Sequence, residues 1–350
     1  MARGPRKTSQ KVTIETVAAA AGVSSMTVSN VLNGSKPVRE ATREAVMRAV
    51  RELNYTPNLA AKSLASAEAI RIGLIISRAD HSFHASFLLG TVEATSRLGA
   101  QLMLRRLADA QPATIIAEIE TLAASGANAV VLPGLYAGVL ASAGALGRLP
   151  VPVVAASPGQ TLEGIPNVRI DDTLAAREMT QHLIALGHRR IGFVRAMPDH
   201  LVHHTRHAGY RAALEDAGIA YDPALVVVAH MSFQGGMVVA GDLLDAQDRP
   251  TAIFASNDDI AAAIVAMAHK RGIRVPAQLS VAGFDNSPLA QRMWPSLTTI
   301  DQPVAAIADK ATQIAVHIAR HPETAADHAI CFLPHRLILR ESAQEPPTPL

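Results

Sequence analysis

The sequence predicts a small all-α head followed by an α/β body of two doubly wound, parallel-sheet lobes. Three observations predict it. A pair of short amphipathic helices around one glycine stands near the start, between Thr13 and Asn33. From Ile72 onward, short apolar runs alternate with longer amphipathic stretches, the pattern of strands buried on both faces by crossover helices. The charge is also divided: residues 1–66 carry ten Lys/Arg against four Asp/Glu, leaving 22 against 26 for the rest of a chain whose net charge is +2. At 350 residues and 49% hydrophobic, the chain exceeds one average domain and can bury a large core.

In the head, Thr13 and Ser24 supply capping oxygens for the two helices, and Gly22 permits the tight turn between them. Val17, Ala18, Ala21, Val23, Val28, Val31 and Leu32 recur at helical spacing and bring the apolar faces together. That packing turns Ser25, Met26, Ser29 and Asn30 outward. A second helix so presented fits the major groove of DNA, with its first residues against base edges. A third helix over 39–54 has Val46, Val50 and Leu53 as its apolar stripe and Arg39, Arg43, Arg48 and Arg51 on its remaining surface. The positive charge therefore sits on the helix-turn-helix, where phosphates would lie. The plainer alternative, a helical hairpin within a larger core, does not account for that basic flank.

The stretch Tyr55-Thr-Pro-Asn-Leu-Ala-Ala-Lys-Ser-Leu64 is helical in composition after Pro57 but too short to bury a core alone. Here the chain resembles the lactose-repressor family of bacterial transcription regulators. The resemblance is carried by Ala21-Gly-Val-Ser24, Thr27-Val-Ser29, Val31-Leu-Asn33, Leu53-Asn-Tyr-Thr-Pro-Asn58 and Ser63-Leu64, in order and spacing. It implies a hinge helix over 57–69 whose Leu64 wedges a base step from the minor groove and bends the duplex. Carried over residue by residue, the DNA contacts are Thr13, Ser24, Ser25, Met26, Thr27, Ser29, Asn30, Asn33, Tyr55, Asn58, Ala61, Lys62 and Leu64. The sequence departs from the family at Thr16, usually aspartate, Arg39, often serine, and Lys62, usually arginine, which would meet phosphate as a point charge instead of a fork.

Residues 1–11 read as a basic arm, 12–56 as the head and 70–342 as the body. Its lobes are expected at about 70–168 and 169–297, with the chain crossing back after 297, and 343–350 as a proline-rich tail without leucine heptads. Strands are expected at 72–76, 102–105, 129–132, 151–155, 167–170, 191–194, 225–228, 252–255 and 279–282. Helices at 174–186 and 208–217 end at Gly187 and Gly218, where a left-handed residue is wanted. Ligands of such sheets collect outside the carboxyl ends of the strands, so the loops after Ile76, Leu132, Val194, Ala255 and Ala282 are the candidates.

The body resembles the same family in Leu186-Gly-His-Arg-Arg-Ile-Gly-Phe193, Arg206-His-Ala-Gly-Tyr-Arg-Ala-Ala-Leu214, Phe254-Ala-Ser-Asn-Asp-Asp259, Val275-Pro-Ala-Gln-Leu-Ser-Val-Ala-Gly-Phe-Asp-Asn286, Pro295-Ser-Leu-Thr-Thr-Ile-Asp-Gln-Pro303 and Leu333-Pro-His-Arg-Leu-Ile-Leu-Arg-Glu-Ser342. The likeness spans about residues 12–342 and implies an effector domain built like a periplasmic sugar-binding protein. It assigns effector contacts to Ser77, Phe83, His84, His200, Arg206, Met231, Asn257 and Asp285. A carboxylate taking two vicinal hydroxyls beside a donating guanidinium suits a sugar or sugar acid. Met231 replaces the usual aromatic, with Phe233 as a substitute filler, and Ser82 replaces a common proline. Alternatives stay open: Asp285 as a turn cap, Arg206 as a surface residue, and Asp258 as the cap of the helix after Asn257.

The spacing of His200, His203, His204 and His207 would also suit a metal, but no second cluster completes a ligand set. Lining of the cleft by these imidazoles, with pH-sensitive effector binding, is the expectation. No cofactor or metal is expected. Cys331, the single cysteine, excludes an intrachain disulfide framework. Residues 1–11 lack the apolar region of a signal peptide and no run is long enough to span a bilayer, so a cytoplasmic protein without membrane partner is expected. These features weigh against a solute receptor feeding a transporter, and the absence of nucleophile–base, phosphate-loop and zincin motifs weighs against an enzyme. The expectation is a homodimeric regulator, most often a repressor in this family, that binds double-stranded operator DNA under control of a small cleft ligand.

Overall fold

The computed structural model describes residues 12–33, 38–53, 55, 70–77, 82–197, 200–327 and 330–347. It divides into a head unit, Met1–Ala69, and a body unit, Ile70–Leu350.

In the head, helix α1 (Ile14–Ala21) ends at Gly22, which takes φ +66°, and α2 (Ser25–Asn33) and α3 (Glu40–Glu52) follow. The backbone N–H of Thr13 donates to Thr16 Oγ1 at 3.3 Å, so the residue that departs from the family still closes the helix start. Ser24 Oγ accepts from the Thr27 N–H at 3.2 Å, as expected of its capping role. Val17, Ala18, Val28, Val31, Val46 and Ala49 form the buried core, with Val50, Leu53 and Tyr55 packed partly buried against it. Of the third helix, Ala49 is buried with Val46, whereas Val50 and Leu53 of the expected stripe are only partly so. Arg39 occupies the N-cap of α3 without a side-chain cap.

The body elements are β1 (Arg71–Ser77), α4 (Ser82–Leu98), β2 (Gln101–Leu107), α5 (Pro112–Ala124), β3 (Ala129–Pro133), α6 (Gly134–Ser142), β4 (Val153–Ala156), β5 (Asn167–Arg169), α7 (Asp172–Ala185), β6 (Ile191–Ala196) and α8 (Val202–Asp216). Then come β7 (Val226–Ala229), α9 (Phe233–Leu244), β8 (Ala252–Ala255), α10 (Asp258–Lys270), β9 (Ser280–Asp285), α11 (Pro288–Arg292), β10 (Thr298–Asp301), α12 (Val304–Arg320), β11 (Ile330–Phe332) and β12 (Arg336–Ile338).

Two six-stranded sheets result, in the orders β11-β5-β4-β3-β1-β2 and β12-β10-β9-β8-β6-β7. The first is parallel throughout, and the second is parallel except for β12, which runs antiparallel to β10. β3, β4 and β8 are buried along their whole length, as two-sided coverage by helices requires.

Two boundaries need correction. The expected end of the second lobe at about 297 falls one strand short, since β10 belongs to the second sheet. Its Thr298 and Thr299 interrupt the apolar run because their hydroxyls are satisfied inside, by Arg340 O at 3.1 Å and Asp258 Oδ1 at 2.6 Å. After α12 and β11 serve the first lobe, the chain returns a third time as β12. The expected tail is also anchored in part: Gln344 O lies 2.9 Å from Nε2 of the buried His188 and accepts from Ser280 Oγ at 3.0 Å. The arm 1–11 and hinge 57–69 fall outside the described residues. No described helix is long and apolar enough to cross a membrane.

Candidate functional site

The head presents a small polar face along α2. Met26 is 70% exposed, Ser25, Thr27, Ser29 and Asn30 are half-buried around it, and Thr13 and Ser24 are exposed. Thr27 and Ser24 share a hydrogen bond of 2.9 Å between hydroxyls, which orders the start of the helix. Arg39, Arg43, Arg48 and Arg51 are all exposed on the flank of this unit. Tyr55 packs against the head core instead of standing free. Asn58, Ala61, Lys62, Leu64 and the side chain of Asn33 lie outside the described residues.

In the body, a cavity of about 100 Å³ lies between the lobes, several times the roughly 10–15 Å³ that one water needs. The strand ends build it. Ser77 comes from the end of β1, Phe83 and His84 from the first turn of α4, and Met231, Asn257 and Asp285 from the ends of β7, β8 and β9. His200 and Arg206 come from the entry and body of α8. All eight residues assigned to the effector line this one space. Sequence reasoning missed Pro133, Gly134, Leu135, Ser157, Val202 and Gln302, which complete the wall.

Arg206 is the most constrained of these side chains, at 3% exposure. Its Nε donates to Asp172 Oδ1 at 2.9 Å, its Nη1 donates to Ser256 O, and its guanidinium carbon sits 3.5 Å from the centroid of the Phe284 ring. It is not a surface residue of α8, because the pairing fixes a planar fork that a solvated arginine would not hold. Burial pushes the Asp172 carboxyl upward against the pull of Arg206. Burial also raises Asp285 well above the usual carboxylate range, Arg206 opposing and Asp258, Asp259 and Asp172 adding to the rise. A ligand that donates hydrogen bonds to Asp285 would offset that lost hydration.

The backbone is strained here. Ser157, Asp285 and Asn286 take φ of +54°, +109° and +53°, and among the described residues they are the non-glycine residues in the left-handed region. Two line the cavity and the third adjoins it, the clustering expected where strain serves a site. The turn is braced from below: Asp258 Oδ2 accepts from the Ser287 N–H at 2.7 Å while its Oδ1 takes the Thr299 hydroxyl. Asp258 is therefore not the cap of α10. Asn257 is, its Oδ1 accepting from the Ile260 N–H at 2.9 Å. Asp285 is a cavity residue that accepts from Gln302 Nε2 at 3.2 Å. Gly134 is required by close approach, since a Cβ there would overlap the Ser157 carbonyl. Ser157 Oγ and Gln302 Oε1, of two residues that line the cavity, are buried without a hydrogen-bond partner among the described residues.

The histidine expectation is corrected. Of the four imidazoles only His200 lines the cavity. His203 is buried, its Nδ1 2.7 Å from Ala196 O and its Nε2 against the Arg195 guanidinium, which fixes the proton on Nδ1. His207 packs on Phe193 and Tyr210. Burial first, then Arg195, Arg211, His203 and His204, push its pKa down to about 4. Being depressed on folding, it contributes stability that is full above about 6.5 and lost as pH falls toward 4. His207→Gln should therefore flatten the pH dependence of the melting temperature across that window relative to the parent chain, on top of a pH-independent loss from the missing ring contacts. An identical pH slope in both proteins, read by thermal denaturation, would contradict this placement. Among the described residues no group of three or more His, Cys, Asp or Glu is arranged to hold a metal. Phe233 is exposed and does not line the cavity, so it does not replace the aromatic missing at Met231.

Comparison with known proteins gives two family matches: "Bacterial regulatory proteins, lacI family" over residues 13–58 and "Periplasmic binding protein-like domain" over residues 180–343. Catabolite control protein A of Priestia megaterium is 31% identical over 334 residues, covering 95% of this chain and 99% of that protein. The ribose operon repressor of Haemophilus influenzae is 31% identical over 331 residues, covering 94% and 98%. Among solved structures, a transcriptional regulator CelR–cellobiose complex superposes with a TM-score of 0.69 at 31% identity, covering 95% of this chain and 99% of that one.

Proposed function

The chain belongs to the lacI family of bacterial regulatory proteins, and from that premise we infer that it is a DNA-binding transcription regulator, a repressor, whose hold on its operator is set by a small molecule bound between the lobes. The observation that carries this reading is the convergence of Ser77, Phe83, His84, His200, Arg206, Met231, Asn257 and Asp285 on one interlobe cavity in a chain that also carries a basic helix-turn-helix. A ligand touching both lobes favours the closed arrangement by its differential affinity for it, and that energy is what reaches the DNA-binding end. The groups in the cavity, a carboxylate, a guanidinium, amides and hydroxyls, fit a sugar or sugar-like metabolite.

The working unit is a homodimer. One helix-turn-helix reads a half-site, and pairing two restores affinity and specificity on a palindromic operator. Leu89, Val92 and Leu104 on α4 and β2, and Val228, Phe233 and Val238 on β7 and α9, are exposed apolar side chains at the corresponding edges of the two sheets, and they supply the self-complementary face. Ser25, Met26 and Asn30 set base choice: Met26 meets a thymine methyl and Asn30 an adenine edge. By the family resemblance, Leu64 is the residue that wedges the minor groove, with Asn58, Ala61 and Lys62 as further contacts of the hinge segment.

Selecting the preferred operator from random DNA with the full-length chain, then screening metabolites for those that shift its affinity, tests the whole reading. Absence of any preferred sequence would overturn it. In the same assay Asn30→Ala should relax one position in each half-site, by about 1–3 kcal/mol apiece. An equal loss on every sequence would instead make Asn30 a phosphate contact.

A further inference from the structure

Around α8 the second lobe gathers basic groups with no carboxylate placed among them. Arg195 stands near the end of β6, where its guanidinium meets Nε2 of His203. His204 lies beside His203, with ring centroids 4.6 Å apart and ring planes at 85°. One turn on, Nε2 of His207 is 3.3 Å from the Tyr221 hydroxyl, and Arg211 lies over the Tyr221 ring at 4.8 Å. After burial, the charges that hold the His207 pKa down at about 4 are those of Arg195, Arg211, His203 and His204, all of one sign.

The acids on the neighbouring elements are already engaged. Asp172 is held by Arg206, Asp216 by Arg177, Asp222 by Arg190 and Glu178 by His335, while Glu215, a turn beyond Arg211, makes no described ion pair. Arg177, Arg190, Arg206 and Arg271 each meet an aspartate within 3.0 Å. Arg195 meets none: it is half-buried, its Nε is buried without a hydrogen-bond partner among the described residues, and its Nη2 is spent on a neutral imidazole. A guanidinium does not give up its proton, so one drawn out of water without a counter-charge loses hydration and gains nothing in return.

An anion from solution would supply the missing partner. His204 and Arg211 are exposed and Tyr221 is 37% exposed, so the cluster opens outward. Forked guanidinium N–H groups, imidazole N–H groups and a phenol all donate, and they suit an oxyanion that presents several acceptor oxygens in different directions. None of these side chains lines the interlobe cavity.

We propose that Arg195, His204, His207, Arg211 and Tyr221 form a second ligand site, separate from the cleft, for a tetrahedral dianion: free inorganic phosphate or the phosphate group of a small ester. A dianion beside His207 favours its charged form and raises its pKa, so binding takes up a proton. Affinity therefore rises as pH falls.

Sulfate, whose charge is fixed near neutrality, is the probe for calorimetric titration of the full-length chain at constant ionic strength. It should bind with a Kd of about 1 mM or tighter at about pH 6. At about pH 8 it should bind at least about fivefold more weakly. Arg195→Gln and Arg211→Gln should each weaken it about tenfold or more, and Arg211, at the exposed rim, serves should the Arg195 variant melt early. His204→Gln with His207→Gln should remove the pH dependence. Inorganic phosphate beside glycerol phosphate, titrated at one pH, then separates the two sources, and a preference for either supports the site. Sulfate binding unchanged in both arginine variants belongs to the basic head and overturns the proposal, as does no saturation up to about 10 mM. Equal affinity at the two pH values overturns it too, because His207 would then stand outside the site.

Discussion

Arg206→Ala should abolish the effector response and cost the body about 3–5 kcal/mol of stability, because it strips the partner from a fully buried carboxylate. Asp172 is 0% exposed and 2.9 Å from the guanidinium, and its second oxygen already has no partner among the described residues. The loss has three parts: the ion pair, the hydrogen bond to Ser256 O, and the stacking on Phe284. Lysine should not rescue it, since an ammonium can neither fork nor stack as a plane. Removing both charges with Arg206→Ala and Asp172→Ala should destabilise less than the sum of the two single changes, for then no uncompensated charge stays buried. Thermal melts of the singles and the double measure this. Operator affinity, titrated with and without the metabolite found in the screen, measures the lost response. A variant that melts with the parent chain and still responds would show that Arg206 is peripheral.

Operator affinity should fall about 10³–10⁵-fold between roughly 50 and 200 mM salt, the loss for a dimer that neutralises about 6–10 phosphates. The expectation rests on where the charge lies. The first 66 residues hold ten Lys/Arg against four Asp/Glu while the rest is net negative, and Arg39, Arg43, Arg48 and Arg51 are exposed on α3. Of these only Arg43 has an acidic neighbour among the described ion pairs, Glu40 at 3.8 Å, a contact too exposed and long to hold it back from phosphate. Replacing Arg48, present once in each protomer, should lower the slope of log affinity against log salt by about 2 for the dimer and weaken all sequences alike. Binding that is insensitive to salt would mean that this flank does not meet the DNA backbone.

Much of the architecture is legible because it repeats locally. Val17, Val28, Val31 and Val46 recur at helical spacing and do form the head core. The runs from Ile72, Ala129 and Ala252 are apolar throughout and are buried strands. Family resemblance then carried eight cavity residues to their places. What it could not carry were residues whose part depends on how distant segments meet. Ser157 follows β4 in a small-residue loop with no charge or aromatic to single it out. Gln302 sits in Asp-Gln-Pro, which reads as a turn. β11 and β12 have three residues each, too few for any period to register. The histidines misled for the opposite reason: spacing of four places them on one helix but does not say which way that helix faces, and His203 and His207 turn inward.

By itself the sequence determined the helix-turn-helix, the alternation of strand and helix, the division of charge, and the residue types at the effector positions, since each depends on neighbours within a turn or two of chain. Only the tertiary structure decided that Arg206 is held by Asp172 and Ser256 at the cavity wall, that Asp258 braces the strained turn while Asn257 caps, and that Gln302 joins that wall. The side-chain contacts behind the roles of Arg206, Asp258 and Gln302 join different strands and helices and set residues 17 to 50 positions apart against one another. No local pattern encodes contacts at that separation, because they are selected by the packing of whole sheets and helices.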